Sequence, residues 1–423
     1  MITKLLSPEI QNHLWVFIST GLAAVFSMLI VLITIRLVDF ETAGMVAYAA
    51  ALSAVLVSFV LFNVNSYQIT DVRQEFNFKI YFALRTITTT LTCLVLFSFL
   101  LIERFNRIQT NIILLFFFIF LVDAYANVFK SDLHQKGMVR LVARMRALSF
   151  SLTLIVFVIA ILITHEVTIA LASAGAVMFV VNIVWVYCYR GHFGKIHVEF
   201  DFQAIIRLTK MVFPMFMTLS LSVYLINAPK YYLEMFLTSE SVAMYAILFF
   251  PAGMFQIVMT TMFFGAPLPD TSELYASGEL KRFLRRIHQQ LMLVTATALP
   301  YLLITYFLGV PVILWLYNTD ISMYFRELIL ITASGLFITV SPIIGMALII
   351  MRRQKQYLYA FATVSALTSP IVIILVQKYG LVGAAIVNFV VFAPTSVLLY
   401  AVFRVTLNRE MLKSTIGKQT EVL

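Results

Sequence analysis

The chain reads as an all-α membrane protein of twelve transmembrane helices in two six-helix lobes. Three observations predict this. Hydrophobic residues fill 61% of the 423 positions and charged residues only 12%, too little polar surface for a soluble globule of this length. The apolar residues gather into twelve stretches of about 17 to 25 residues, the length an α-helix needs to cross roughly 30 Å of hydrocarbon. The loops between these stretches alternate between rich and poor in Lys and Arg.

The first six spans cover 13–37, 43–64, 86–102, 110–131, 145–164 and 167–189. Span one is longer than a signal-peptide core, lacks a small-residue cleavage site and follows a single Lys, so it is expected to be retained. Spans two and three are joined by a polar segment carrying Arg73, Lys79 and Arg85. Spans three and four are joined by a short loop, and span four holds Asp123, the one acidic residue deep in an apolar run. A basic loop from Lys130 to Arg146 leads into span five, and a minimal turn joins five to six. The second set covers 211–228, 242–266, 289–309, 327–350, 357–377 and 381–403. The expected organisation is an N-terminal lobe over 1–189, a cytoplasmic linker over 190–210, a C-terminal lobe over 211–404 and a cytoplasmic tail over 405–423.

An offset near 200 residues lays the second set on the first, and the polar segments 65–85 and 267–288 then correspond. Two parallel six-helix repeats with a substrate path between them is a recurrent transporter plan. Proline breaks the symmetry. Only Pro8 precedes residue 210, whereas Pro214, Pro229, Pro251, Pro300, Pro342, Pro370 and Pro394 place one in or at the end of every later span. Kinks are expected there, because each proline removes a donor and crowds the preceding turn.

Of the 30 Lys and Arg residues, 24 lie on one side, which the positive-inside rule makes cytoplasmic, together with both termini. The net charge of +10 is thus a signature of topology, and no loop is long enough to form a nucleic-acid-binding face. Cys93 and Cys188 sit in apolar spans, so no disulfide framework is implied. No Gly-x-x-x-x-Gly-Lys-Ser/Thr loop and no metal-ligand spacing among the six histidines is present. Outer loops are too short for an extracytoplasmic catalytic domain, so neither enzymatic chemistry nor a cofactor is expected.

The candidate site residues are the polar groups in or beside the spans. Asp123 costs roughly 2.5 to 3.5 kcal/mol to insert, so it needs a partner or a wet cavity. With Asn127 one turn away and Lys130 two turns away, it reads either as a coupling site or as a structural carboxylate. Arg36 and Lys230 are expected at the outer ends of equivalent helices one and seven, where basic residues are scarce. They read either as snorkelling side chains or as a cationic pair for an anionic head group. Asp71 and Arg73 read either as holding their segment to the inner face or, with Lys79, as part of a solvated charged loop, and Arg85 reads as a residue that receives a phosphate on the loading side. Between Ser277 and His288, Lys281, Arg282, Arg285 and Arg286 alternate with apolar residues at helical spacing, an interfacial helix attracted to anionic lipid.

The stretch Tyr67-Gln68-Ile69-Thr70-Asp71-Val72, followed by Phe76, Tyr81 and Arg85, resembles the segment after helix two in bacterial polysaccharide flippases of the Wzx type. These belong to the MOP superfamily, with the multidrug and toxin extruders and the lipid II flippases. Asn227-Ala228-Pro229-Lys230-Tyr231, Tyr245, Pro251, Pro267, Gly309-Val310-Pro311 and Gly380-Leu381-Val382-Gly383-Ala384-Ala385 extend the likeness over nearly the whole chain. The resemblance implies a MATE-like transporter of the bacterial cytoplasmic membrane that carries an undecaprenyl-pyrophosphate-linked oligosaccharide outward by alternating access. Arg36, Arg85, Asn227 and Lys230 become the implied substrate-binding residues, and Asp71, Asp123 and Asn127 the coupling or structural ones. The glycan polymerase and other assembly proteins become implied partners. The competing expectations are a cation-coupled multidrug exporter and a membrane polymerase of the same glycan pathway.

Overall fold

The computed structural model describes residues 8–71, 74–103, 105–193, 200–264 and 267–420, with the side chains of 8–13, 263–269 and 413–420 set aside. Arg73, expected to help hold the segment after helix two, lies outside the described residues, as do Lys4, Arg104 and Lys195. Every regular element among the described residues is helical, as an apolar chain in hydrocarbon requires, because each backbone donor must find its acceptor within the segment.

Thirteen helices are described. They are α1 (Pro8–Leu37), α2 (Phe40–Leu61), α3 (Val64–Thr70), α4 (Phe78–Ile102), α5 (Arg107–Gln135), α6 (Val139–Thr164) and α7 (Val167–Cys188). After these come α8 (Phe202–Phe236), α9 (Ser239–Phe264), α10 (Pro267–Ala276), α11 (Leu280–Tyr317), α12 (Phe325–Ile350) and α13 (Gln354–Thr420). Eleven are long and apolar enough to cross a membrane. The last of these is two: α13 has 67 residues and breaks at Gly380, where φ 56° and ψ −128° are non-helical. A straight helix of that length would reach about 100 Å, some three bilayer cores, so the chain must double back there. Twelve membrane-capable helices result, and the protein is a multi-pass membrane protein.

Short polar side chains start several of these helices. Asp39 accepts from the Thr42 amide at 2.7 Å, Asn77 from Ile80 at 3.1 Å and Asn106 from Gln109 at 2.7 Å, each satisfying a donor that the first helical turn leaves without a partner. At the far end of α2, Phe62 and Asn63 both adopt left-handed backbone (φ 45° and 55°), ending that helix and starting α3.

The helices group into two units, one of residues 1–247 with 316–318, the other of 248–315 with 319–423. In the first, α2 packs on α5 and α8, α1 on α6, and α7 on α5 and α6. Gly44 of α2 lies so close to the Ser239 carbonyl at the start of α9 that any side chain there would collide with backbone. Near the ends of α3, α4 and α5 an aromatic core gathers Phe76, Tyr81, Phe82 and Phe129 with Phe193. In the second unit α12 packs on α13, and a small core joins Phe255 and Met259 of α9 to Val294 and Ile343.

Several boundaries differ from the sequence reading. The polar stretch 190–210 is not wholly a linker: α8 begins at Phe202, and Ala204, Ile205 and Leu208 are buried in the first unit's core. Span seven, expected to stop at 228, continues through Pro214 and Pro229 to Phe236. Side chains on that helix also bond its carbonyls near the prolines, Thr218 to Pro214 at 2.8 Å and Asn227 to Val223 at 3.0 Å. The basic stretch after Ser277 is not a separate interfacial helix but the opening turns of the 38-residue α11. Short helices α3 and α10 lie at the two polar segments set in correspondence above, 65–85 and 267–288.

Candidate functional site

Asp123 and Lys130 face each other on α5, with Nζ of Lys130 2.6 Å from the carboxylate and both side chains less than a tenth exposed. Seven residues are two helical turns, so the pair closes along one face of one helix. Between them Asn127 accepts a hydrogen bond from Ser131 at 3.0 Å. Of the two readings open for Asp123, the geometry is that of the paired carboxylate. Arg146 of α6 also acts on this carboxylate electrostatically and lies 5.9 Å from the Phe150 ring, while Arg144 sits over Trp15 of α1 at 5.2 Å. The Nε atoms of Arg140, Arg144 and Arg146 are buried without a hydrogen-bond partner among the described residues. No carboxylate among those residues pairs with any of the three.

Arg85 is wholly buried in α4. Its Nη1 donates to the Val60 carbonyl in the last turn of α2, which also accepts from Thr88 at 2.9 Å. A guanidinium there meets the negative end of the α2 dipole. Nε and Nη2 of Arg85 have no partner among the described residues, so a buried cation keeps donors unused, a costly state in a low-dielectric interior.

Asp71 is bonded to backbone and tyrosine partners of the following segment. Its carboxylate accepts from the Glu75 amide at 2.9 Å, the Phe76 amide at 3.2 Å and the Tyr81 hydroxyl at 2.7 Å, while Gln135 of α5 donates to its carbonyl at 2.6 Å. Tyr67 in α3 donates to Glu75 at 3.1 Å. Burial, then Glu75 and Asp71, push the Tyr67 hydroxyl up to about 12.

Arg36 stands exposed in the last turn of α1. Lys230 is not at a helix end, because α8 runs six residues past it. Its Nζ donates to Asn227 at 3.3 Å. Both residues belong to the first unit. Around Lys230 the structure assembles Tyr231, named above only as part of a motif, with Tyr224, Tyr232 and Glu234, which the sequence reading passed over. Tyr231 donates to the Ala51 carbonyl of α2 at 2.6 Å and stacks on Tyr224 at 5.7 Å, and Tyr224 and Tyr232 share a hydroxyl bond of 2.9 Å. Glu234, one turn on, accepts from Gln109 of α5 at 2.5 Å and from Ser239 at 3.0 Å. The only sequence signal for this cluster is the density of Tyr in 224–232.

In the first unit the buried and half-buried acidic groups among the described residues each have close polar partners: Asp71 as above, Asp123 with Lys130, Asp132 with Lys136 at 2.6 Å, and Glu234 with Gln109 and Ser239. Nε and Nη2 of Arg85 and the Nε donors of Arg140, Arg144 and Arg146 are left without a hydrogen-bond partner among the described residues of the first unit. That arrangement suits an anionic group, for which guanidinium forks provide several charge-assisted donors at once.

No family model matches the chain, and no curated protein sequence matches it. Solved structures do. An inward-facing multidrug resistance MATE family transporter of the MOP superfamily superposes with a TM-score of 0.68 at 12% identity, over 92% of this chain and 96% of that one. A MOP superfamily transporter from Pyrococcus furiosus, described as having a binding pocket of reversed polarity, gives 0.62 at 13% identity over 95% and 96%. The Vibrio cholerae MATE transporter VcmN in its bent form gives 0.60 at 15% identity over 95% and 97%. The chain therefore has the fold of the MATE and wider MOP superfamily transporters.

Proposed function

We propose that this chain is a flippase that moves a polyprenyl-pyrophosphate-linked oligosaccharide from the inner to the outer leaflet of a bacterial cytoplasmic membrane, by alternating access and with both termini cytoplasmic. The observation that carries this reading is the surplus of buried cationic donors in the first unit, headed by Arg85 with Nε and Nη2 unused. A pyrophosphate entering a low-dielectric path loses its hydration, and fixed guanidinium and ammonium groups replace it. Arg36, Lys230 and Asn227 serve the same head group on this reading, and the polyprenyl tail stays in hydrocarbon. The lobes 1–189 and 211–404 act as the two rocking bodies, and the polymerase of the same glycan pathway is the natural recipient.

Reconstitution tests this directly. Proteoliposomes loaded with a fluorescent polyprenyl-pyrophosphate oligosaccharide should show protein-dependent appearance of the label at the opposite leaflet. Replacing both Arg36 and Lys230 by Ala should slow it about tenfold or more, as loss of two charge-assisted contacts would. Unchanged transport in that double variant, at equal protein, would remove these two residues from the site.

A second reading, a cation-coupled multidrug exporter, is favoured by the MATE transporters among the structural neighbours. It predicts protein-dependent efflux of cationic dyes with Asp123 essential. The direct ion pair of Asp123 with Lys130 works against it, because that carboxylate is already occupied.

A further inference from the structure

Two apolar hollows run in series along one face of the first unit. The first, of about 580 Å³, lies between α4, α5 and α7, and the second, of about 590 Å³, between α4 and α5. They share Phe118 and Leu121, so they form one continuous furrow. Along α5 it extends from Leu114 to Phe129, and fifteen helical steps are about 22 Å. Its lining is mostly hydrocarbon and aromatic, with Thr89, Thr90 and Cys93 of α4 the small polar exceptions. Asn182, the one buried amide on it, donates from Nδ2 to the Met178 carbonyl of its own helix at 2.8 Å, while its Oδ1 has no partner among the described residues. The furrow ends at Arg190, exposed just past α7, with its guanidinium 4.3 Å over the Tyr187 ring and no carboxylate partner among the described residues.

We infer that this furrow is the docking site for the isoprenoid chain of a polyprenyl-phosphate lipid, with its phosphate on Arg190. This deepens, and rests on, the flippase reading above. Two features select the occupant. A free cation closes one end, on the side where basic residues concentrate, so an anionic head group is the matching chemistry. The furrow also outruns the roughly 15 Å depth of a single leaflet, half of the 30 Å hydrocarbon core, so its occupant is a chain that crosses the mid-plane. An ordinary phospholipid tail fills one leaflet only. A rigid aromatic wall that already presents a slot reduces the ordering cost of a long flexible chain.

The test is photo-crosslinking of the full-length protein in vesicles with a benzophenone-tagged polyprenyl phosphate, followed by peptide mapping. Labelling on α4, α5 and α7 is expected, displaced by untagged polyprenyl phosphate and not by equal phosphatidylglycerol. Arg190→Gln should weaken that displacement about fivefold, the effect of one cation near the membrane surface. Leu121→Trp, which fills the junction of the two hollows, should abolish labelling of α5. Displacement by both lipids alike would make the furrow a phospholipid site and overturn the inference while leaving the flippase reading intact. Labelling confined to other helices would overturn it in the same way. No labelling anywhere would count against the flippase reading itself.

Discussion

The Asp123–Lys130 pair shows why a buried charge is best judged by what happens when its partner goes. Two buried ions 2.6 Å apart gain Coulomb energy but pay desolvation, so the pair adds little net stability. Removing one member strands the other. Asp123→Ala should therefore lower stability by about 3 to 5 kcal/mol, whereas Asp123→Leu with Lys130→Met should leave it near the parent. Thermal unfolding in one detergent distinguishes the two, and a double variant as unstable as the single one would mean the charges do more than neutralise each other. The pairing was visible in the spacing of residues 123 and 130, but the orientation of both side chains toward one another was not. Arg140, Arg144 and Arg146 were legible only as loop charges. That their guanidinium Nε atoms are buried beside α1 and α5 depends on how α6 packs, which no local pattern encodes.

At the scale of elements, the apolar runs told where helices lie but understated where they end. Hydropathy marks the part of a helix inside hydrocarbon. It is silent about polar turns that continue beyond it, so α8 began nine residues earlier and ended eight later than the span over 211–228. Pro214 and Pro229, where kinks were expected, both lie inside the continuous α8. Glycine was the opposite case. Gly380 has backbone angles that other residues adopt only under strain, and it reverses α13 between its two membrane-capable arms. Gly380→Ala should cost about 1 to 3 kcal/mol, read as a fall in melting temperature, while Ala at Gly191, which has open space around it, should cost little. Equal effects at both positions would show that the reversal tolerates a side chain. At the end of the second arm, Glu410 accepts from Tyr275 of α10 at 2.9 Å and pairs with Arg353 at 3.3 Å. Burial and the Glu410 carboxylate raise the Tyr275 hydroxyl above its ordinary value, so this tie persists through mildly alkaline pH and fails only above it.

For the whole molecule the governing quantity is charge across the membrane. On the flippase reading, two negative charges move outward, and an inside-negative potential favours this by about 2.3 kcal/mol per charge per 100 mV. Imposing such a potential with a potassium gradient and valinomycin should raise the outward rate of the lipid-linked glycan in proteoliposomes, and reversing it should slow the rate. A cationic drug substrate would respond with the opposite sign. Indifference to potential would mean that a countercharge travels with the substrate.

What the amino-acid sequence determined by itself was the solvent and the path of the chain: twelve crossings follow from the length of each apolar run, because hydrocarbon leaves a backbone no alternative to the helix. What only the tertiary structure decided was which charges meet. Arg36 and Lys230, linked on paper by an internal repeat, stand as an exposed helix-end cation and an interior lysine bonded to Asn227. Arg85, read from the sequence as a cation at the loading side, is wholly buried, with Nε and Nη2 lacking a partner among the described residues. The reason is physical. Partitioning into a membrane sums over many residues and survives any local detail, whereas a charge is compensated or left bare by atoms within a few ångström that arrive from distant parts of the chain.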